Sequence, residues 1–176
     1  MTRCLRAGLV LLVLILGIHN VVAAQNEQNG SRSLPCADNA KAREFDFWIG
    51  EWNVTANGKQ AGTNSVQRIL GQCVIFENWT SAGGGEGKSF NFYNRQTDQW
   101  QQVWVDDGGL VLQLYGAFSD GAMRFKGETL GRDKQTVHHR LIFFPREDSS
   151  VRQFWEQSRD GGESWTVSFD GIYTRK

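Results

Sequence analysis

The chain has 176 residues, with 19 basic and 19 acidic side chains and a formal net charge of zero. Charge this balanced and interspersed supplies no basic stripe for nucleic acid, and the length is that of about one domain. Seven Trp and eleven Phe against two Pro and 20 Gly describe many strands joined by tight turns.

The amino terminus is of another kind. Arg3 and Arg6 precede the apolar run AGLVLLVLILGI at 7–18, and VVAA at 21–24 places Val22 and Ala24 at the −3 and −1 positions of a cleavage after Ala24. This pattern predicts a secretory signal peptide over 1–24 and a secreted or periplasmic protein. The run is shorter than the about 20 residues of a membrane-spanning helix, so no stable membrane insertion is expected; an uncleaved anchor is the alternative. Cys4 leaves with the signal. Cys36 and Cys73 remain, an even number in an oxidising compartment, and one disulfide is expected, with two buried thiols as the alternative. His138 and His139 are neighbours on a strand and point to opposite faces, so they do not grip one metal.

Residues 25–37, beginning QNEQNGSRS, read as a disordered leader, and 38–176 as a single domain. DNAKAREFDFWIG at 38–50 contains the one helix expected, capped by Asp38 or Asn39 and ended by Gly50. Strands then follow at 51–56, 62–70, 72–81, 87–94, 99–106, 110–118, 122–130, 135–144, 150–158 and 164–174. Asn57-Gly58, Asp107-Gly108-Gly109, Asp120-Gly121 and Asp160-Gly161-Gly162 are among the separators. About ten strands with short turns favour antiparallel neighbours, and full closure removes the exposed edges. The expected fold is an all-β, up-and-down antiparallel barrel with the short helix closing one end. A two-sheet sandwich is the runner-up.

AGGGEGKS at 82–89 fits a loose phosphate-loop pattern, but SFNFYN after it alternates with period two and makes a poor helix. The glycines mark a hairpin. SRDGGESW at 158–165 fits the Asp-box pattern of sialidase hairpins, with Ser164 where Thr is usual. One such hairpin does not make a propeller, and Asp160 and Trp165 are assigned a structural role.

Gly50-Glu51-Trp52 follows the helix and opens the first strand, as in lipocalin-like barrels, where the tryptophan packs inside the floor. In that superfamily a basic residue of the last strand crosses the indole, the role Arg175 would take here. In order and spacing, FDFWIGEWNV (45–54), GQCVIFENW (71–79), GKSFNFYN (87–94), WQQVWVDDGG (100–109) and VRQFWEQSRDGGESW (151–165) resemble the secreted, lipocalin-like family called domain of unknown function 1579. The resemblance implies the barrel, is consistent with the cysteine pair and implies no reaction.

No nucleophile elbow or metal triad is present, and nothing in the sequence pairs any two of the strand carboxylates Glu77, Asp106, Glu156 and Asp170. Alternation groups Glu77 with Trp79, Ser89 with Asn91 and Tyr93, and Trp100 with Gln102, Trp104 and Asp106. Val74, Phe76, Phe90, Phe92, Val103 and Val105 take the opposite face. An apolar interior would expose the large aromatics among polar groups, so the polar–aromatic set is read as a cavity wall. His139, Gln153 and Trp155 are candidates to join it, or Arg140 if the phase there is opposite. Glu77 needs a buried partner, for which Arg140 or Gln102 is available.

The resulting expectation is a binding protein that holds a small amphipathic molecule, with no cofactor and an undetermined oligomeric state. Its ligand-binding residues are Glu77, Trp79, Ser89, Asn91, Tyr93, Gln102, Trp104, Asp106 and Trp155. The alternatives are an isomerase- or cyclase-like enzyme with Glu77 or Asp106 as general base and, further off, a haem barrel ligated by His139 or His138.

Overall fold

A computed structural model describes residues 34–176. The expected signal peptide and the first part of the expected leader lie outside the described residues. Ten strands follow one another: β1 (Gly50–Ala56), β2 (Lys59–Ile69), β3 (Val74–Ser81), β4 (Glu86–Asn94), β5 (Gln99–Asp106), β6 (Val111–Ser119), β7 (Ala122–Leu130), β8 (Thr136–Pro145), β9 (Val151–Ser158) and β10 (Thr166–Arg175). Each pairs antiparallel with the next, and β1 pairs with β10, so the sheet is a closed up-and-down barrel. The turns carry the residues that permit left-handed backbone. Asn57 and Gly58 both have positive φ, as do Asp120 and Gly121, the signature of two-residue hairpins that match strand twist. The first of these starts β2 earlier than the alternation of its side chains suggested.

The expected helix is shorter and tighter. Two 3-10 turns, Lys41–Arg43 and Asp46–Trp48, replace a continuous helix over 38–50. Asn39 Oδ1 accepts the Ala42 N–H at 3.2 Å. A 3-10 turn aligns residues three apart, which sends Phe45 and Trp48 together into one end of the barrel. Both are fully buried. Phe45 stacks on Trp48 at 5.0 Å and meets Phe143 at 4.9 Å and Trp100 edge-on at 5.8 Å. Aromatic pairs of this kind contribute about 0.5–1.5 kcal/mol each beyond area burial.

Trp52 completes this floor. Its indole N–H donates to the Trp48 carbonyl at 3.0 Å, and the Arg175 guanidinium lies 4.5 Å from its ring centroid while donating to the Ile49 carbonyl. Gly50 suits this position because its φ is +151° and because a Cβ there would displace that guanidinium from the indole. Cys36 and Cys73 form a disulfide, Cα–Cα 5.0 Å, joining the segment before the turns to the residue that precedes β3. The end of the expected leader is thus structured: the Ala37 N–H closes a turn onto the Leu34 carbonyl at 2.8 Å.

Trp52→Ala should lower unfolding free energy by about 3–5 kcal/mol in denaturant titration, the range for truncating a buried tryptophan. A near-neutral change would remove the floor from the account of stability. Reduction of the disulfide should cost about 4 kcal/mol or less, read as a lower melting temperature in reductant that Cys36→Ser/Cys73→Ser reproduces without it.

Candidate functional site

Above the aromatic floor the interior becomes polar. Asn64 (β2), Glu77 (β3), Ser89 and Asn91 (β4) and Gln102 (β5) all point inward and are buried. Gln102 Nε2 donates to Asn91 Oδ1 at 2.6 Å, Asn91 Nδ2 to Ser89 Oγ at 2.8 Å, and Ser89 Oγ to Glu77 Oε2 at 2.6 Å. From the other side Asn64 Nδ2 donates to Glu77 Oε1 at 2.8 Å. The buried carboxyl is therefore held by Asn64 and Ser89, not by the expected Arg140 or Gln102. Arg140 points outward, bonded to Glu156 at 2.5 Å and stacked over Trp165 at 4.2 Å.

Burial raises the Glu77 carboxyl to about 7, against the pull of the two hydrogen bonds. Across the barrel the Tyr173 hydroxyl donates to Gln153 Oε1, and burial together with the nearby Glu77 raises the Tyr173 phenol. Two buried side-chain atoms among the described residues lack a partner: Trp48 Nε1 in the floor and Asn64 Oδ1 in this polar belt.

The belt opens toward the end opposite the floor, into a cavity of about 200 Å³. Trp79, Trp104, Trp155 and Phe169 supply its aromatic wall, Leu110, Leu112 and Leu141 its aliphatic one, and Glu77, Gln102, Asp106, Gln153, Ser168 and Tyr173 its polar groups. The indoles fit because glycines face them. A Cβ on Gly62 would overlap the Trp79 ring, and one on Gly87 would overlap the Trp104 ring. Gly171 does the same for Phe169. The Gly87-Lys88-Ser89 of the apparent phosphate loop is thus strand β4, with Gly87 against an indole, Lys88 outside near Glu86, and Ser89 bonded to Glu77.

Six of the nine residues expected to contact a ligand line this cavity: Glu77, Trp79, Gln102, Trp104, Asp106 and Trp155. Ser89 and Asn91 face inward but are fully covered behind it. Tyr93 does not belong to the site. It lies at the floor end, near Trp100 at 6.4 Å, with its hydroxyl bonded to Asp98. Phe76, Phe90, Phe92 and Val103 lie outside; Phe90 is 42% exposed. Phe169 and Ser168 were missed because a bulge between Val167 and Phe169 shifts the alternation of β10.

His139 faces inward, but its Nδ1 accepts the Trp155 indole N–H at 3.2 Å and its Nε2 lies 2.8 Å from Thr129 Oγ1. Burial, and then the neighbouring His138, lower its pKa. His138 points outward, its Nδ1 3.1 Å from Glu128, so the two rings do not face one site. Among the described residues no group of three His, Cys, Asp or Glu is placed to hold a metal. The Asp-box hairpin is self-contained: Asp160 accepts the Ser158 hydroxyl and the Ser164 N–H, which hold its carboxyl well below the usual range, and the Trp165 indole donates to the Gly162 carbonyl.

No protein-family model matches the chain, and no curated protein matches it. The chemistry of the site rests on its own residues.

A carboxyl raised on folding favours the folded state most below its unfolded value, and that contribution is lost as pH rises through about 7. Asn64, Ser89 and Tyr173 are the polar or titratable groups facing Glu77 from β2, β4 and β10. Glu77→Gln should therefore gain stability relative to the parent between about pH 5 and about pH 8, by up to about 3 kcal/mol. Denaturant titrations at the two pH values measure it; an unchanged difference would mean that Glu77 titrates normally.

Proposed function

We propose that this protein is an extracytoplasmic binding barrel that holds one small amphipathic molecule in the cavity above its polar belt. The observation that carries this reading is the lining itself: three indoles and a phenyl ring beside a few directed polar groups, the composition of small-molecule sites. The volume of about 200 Å³ has room for about six or seven waters, hence for a compact ligand below drug size. The disulfide is compatible with an oxidising compartment, and no described helix is long and apolar enough to cross a membrane. The resemblance to the lipocalin-like family called domain of unknown function 1579 belongs to the same proposal.

One observation favours a second reading. Glu77 is a cavity-lining carboxyl brought near neutral pH, as a general acid or base requires. Its two oxygens are already bonded to Asn64 and Ser89, which suits a fixed polar anchor equally well.

Native mass spectrometry of protein isolated from its own compartment tests the binding reading. A bound small molecule is expected, and Trp104→Ala should lose it while its melting temperature falls by only a few degrees. Phe92→Ala, altered on the outer face, should retain it. An empty parent protein, or a ligand kept by Trp104→Ala and lost by Phe92→Ala, would sink the reading. Turnover of the bound molecule that Glu77→Gln abolishes would select the enzyme instead.

A further inference from the structure

The charges around the cavity are of one sign. Glu77 sits at its depth and Asp106 on its wall near the β5–β6 turn, and none of the lining residues is Lys, Arg or His. On β8, β9 and β10 the basic side chains nearest the cavity are engaged elsewhere. His139 is held between Trp155, whose indole N–H its Nδ1 accepts, and Thr129. Arg140 lies on the outer Trp165, Arg152 is bonded through two nitrogens to Asp170, and Arg175 lies over Trp52 in the floor. An anionic ligand would meet two carboxyls and no counter-charge.

A neutral ligand fares better but incompletely. Covering the cavity would strip water from Asp106, whose Oδ1 takes the Leu110 N–H at 2.9 Å, without supplying an opposite charge. A cation supplies that charge, and the indole walls add to it, because an aromatic face attracts a positive group within about 6 Å. Trp79, Trp104 and Trp155 come from three different strands and close on the cavity from different sides.

Resting on the binding reading above, we propose that the ligand is a compact organic cation, a quaternary ammonium or protonated amine, seated among Trp79, Trp104 and Trp155 with Asp106 and Glu77 as its counter-charges. The apolar substituents of such a head group meet Leu110, Leu112 and Leu141, and the amides of Gln102 and Gln153 are available to a hydroxyl or carbonyl on its short chain.

Titration calorimetry on the purified full chain with three probes of matched shape tests this. The probes are choline, its neutral isostere 3,3-dimethylbutan-1-ol and the anion 3,3-dimethylbutanoate. Choline should bind at least about tenfold more tightly than the alcohol, the scale of a desolvated cation–aromatic contact, and the anion should not bind. Asp106→Asn, which keeps the acceptor for Leu110, should narrow the preference for choline over the alcohol severalfold with an unchanged melting temperature. Equal binding of choline and the alcohol would overturn the cation proposal and leave the binding cavity standing. Binding of none of the three at millimolar concentration, by protein with a normal melting transition, would overturn the cation proposal, and the native mass spectrum decides the binding reading on its own. Co-sedimentation with phosphatidylcholine vesicles that free choline reverses would place the head group on a lipid; choline binding without co-sedimentation would place it on a free amine.

Discussion

Phe45 and Trp48 occupy one end of the barrel, and most of what the interior can do follows from that packing. An open tube of ten strands would carry water to both sides of Glu77, and the carboxyl would titrate like any other. With Trp52, Trp100, Phe143 and Tyr173 packed around these two side chains, that end is closed, and the cavity lies toward the other. The 3-10 geometry matters here because it sets two large rings on one side within a single turn, which a longer amphipathic helix lying across the mouth would not do.

The interior is consequently layered. Apolar rings fill the bottom, hydrogen-bonded side chains from β2 to β5 form a belt across the middle, and indoles surround the opening. The belt is anisotropic, since Asn64, Glu77, Ser89, Asn91 and Gln102 lie on the first half of the sheet while β6 to β8 face it with Leu112, Leu114, Phe125 and Leu141, His139 being taken up by Trp155 and Thr129. A molecule entering the cavity therefore meets directed groups from β3, β5, β9 and β10 and an aliphatic strip from Leu110, Leu112 and Leu141, an arrangement that fixes orientation more than it adds affinity.

The sequence was informative about strands and much less so about depth. Positive-φ residues such as Asn57-Gly58 and Asp120-Gly121 must sit where the backbone turns over, so the ten strands and their order could be read directly. The inward phase of β3 to β5 was legible because Glu77, Ser89, Asn91 and Gln102 alternate with apolar residues over three consecutive strands. Alternation says which face a side chain takes and nothing of its height along the barrel, and for that reason Tyr93 shares a phase with Ser89 yet lies at the floor. Two further features had no local signal. Asn64 reaches Glu77 only because β2 pairs with β3, and nothing in the expected strands that begin at Gly62 and Gly87 says that an indole from a neighbouring strand lies against each glycine. The bulge at Ser168 hid Phe169 for a related reason, since one extra residue inverts every side chain beyond it.

The pairing of β1 with β10 differs in kind from the other nine contacts. Each of those joins strands adjacent in the chain, whereas the Thr174 hydroxyl reaches the Asn53 carbonyl across 121 residues. Loop-closure entropy makes that seam the least favourable pairing to form first, and topologies rich in distant contacts fold slowly. Nine hairpins can assemble as an open, twisted ribbon whose inner face is still wet. Arg175 stands at that seam opposite Trp52, so the floor is complete only when the two ends of the ribbon are paired. Closing the sheet and sealing the interior are in that sense one constraint, set by a single pairing of the chain's two ends.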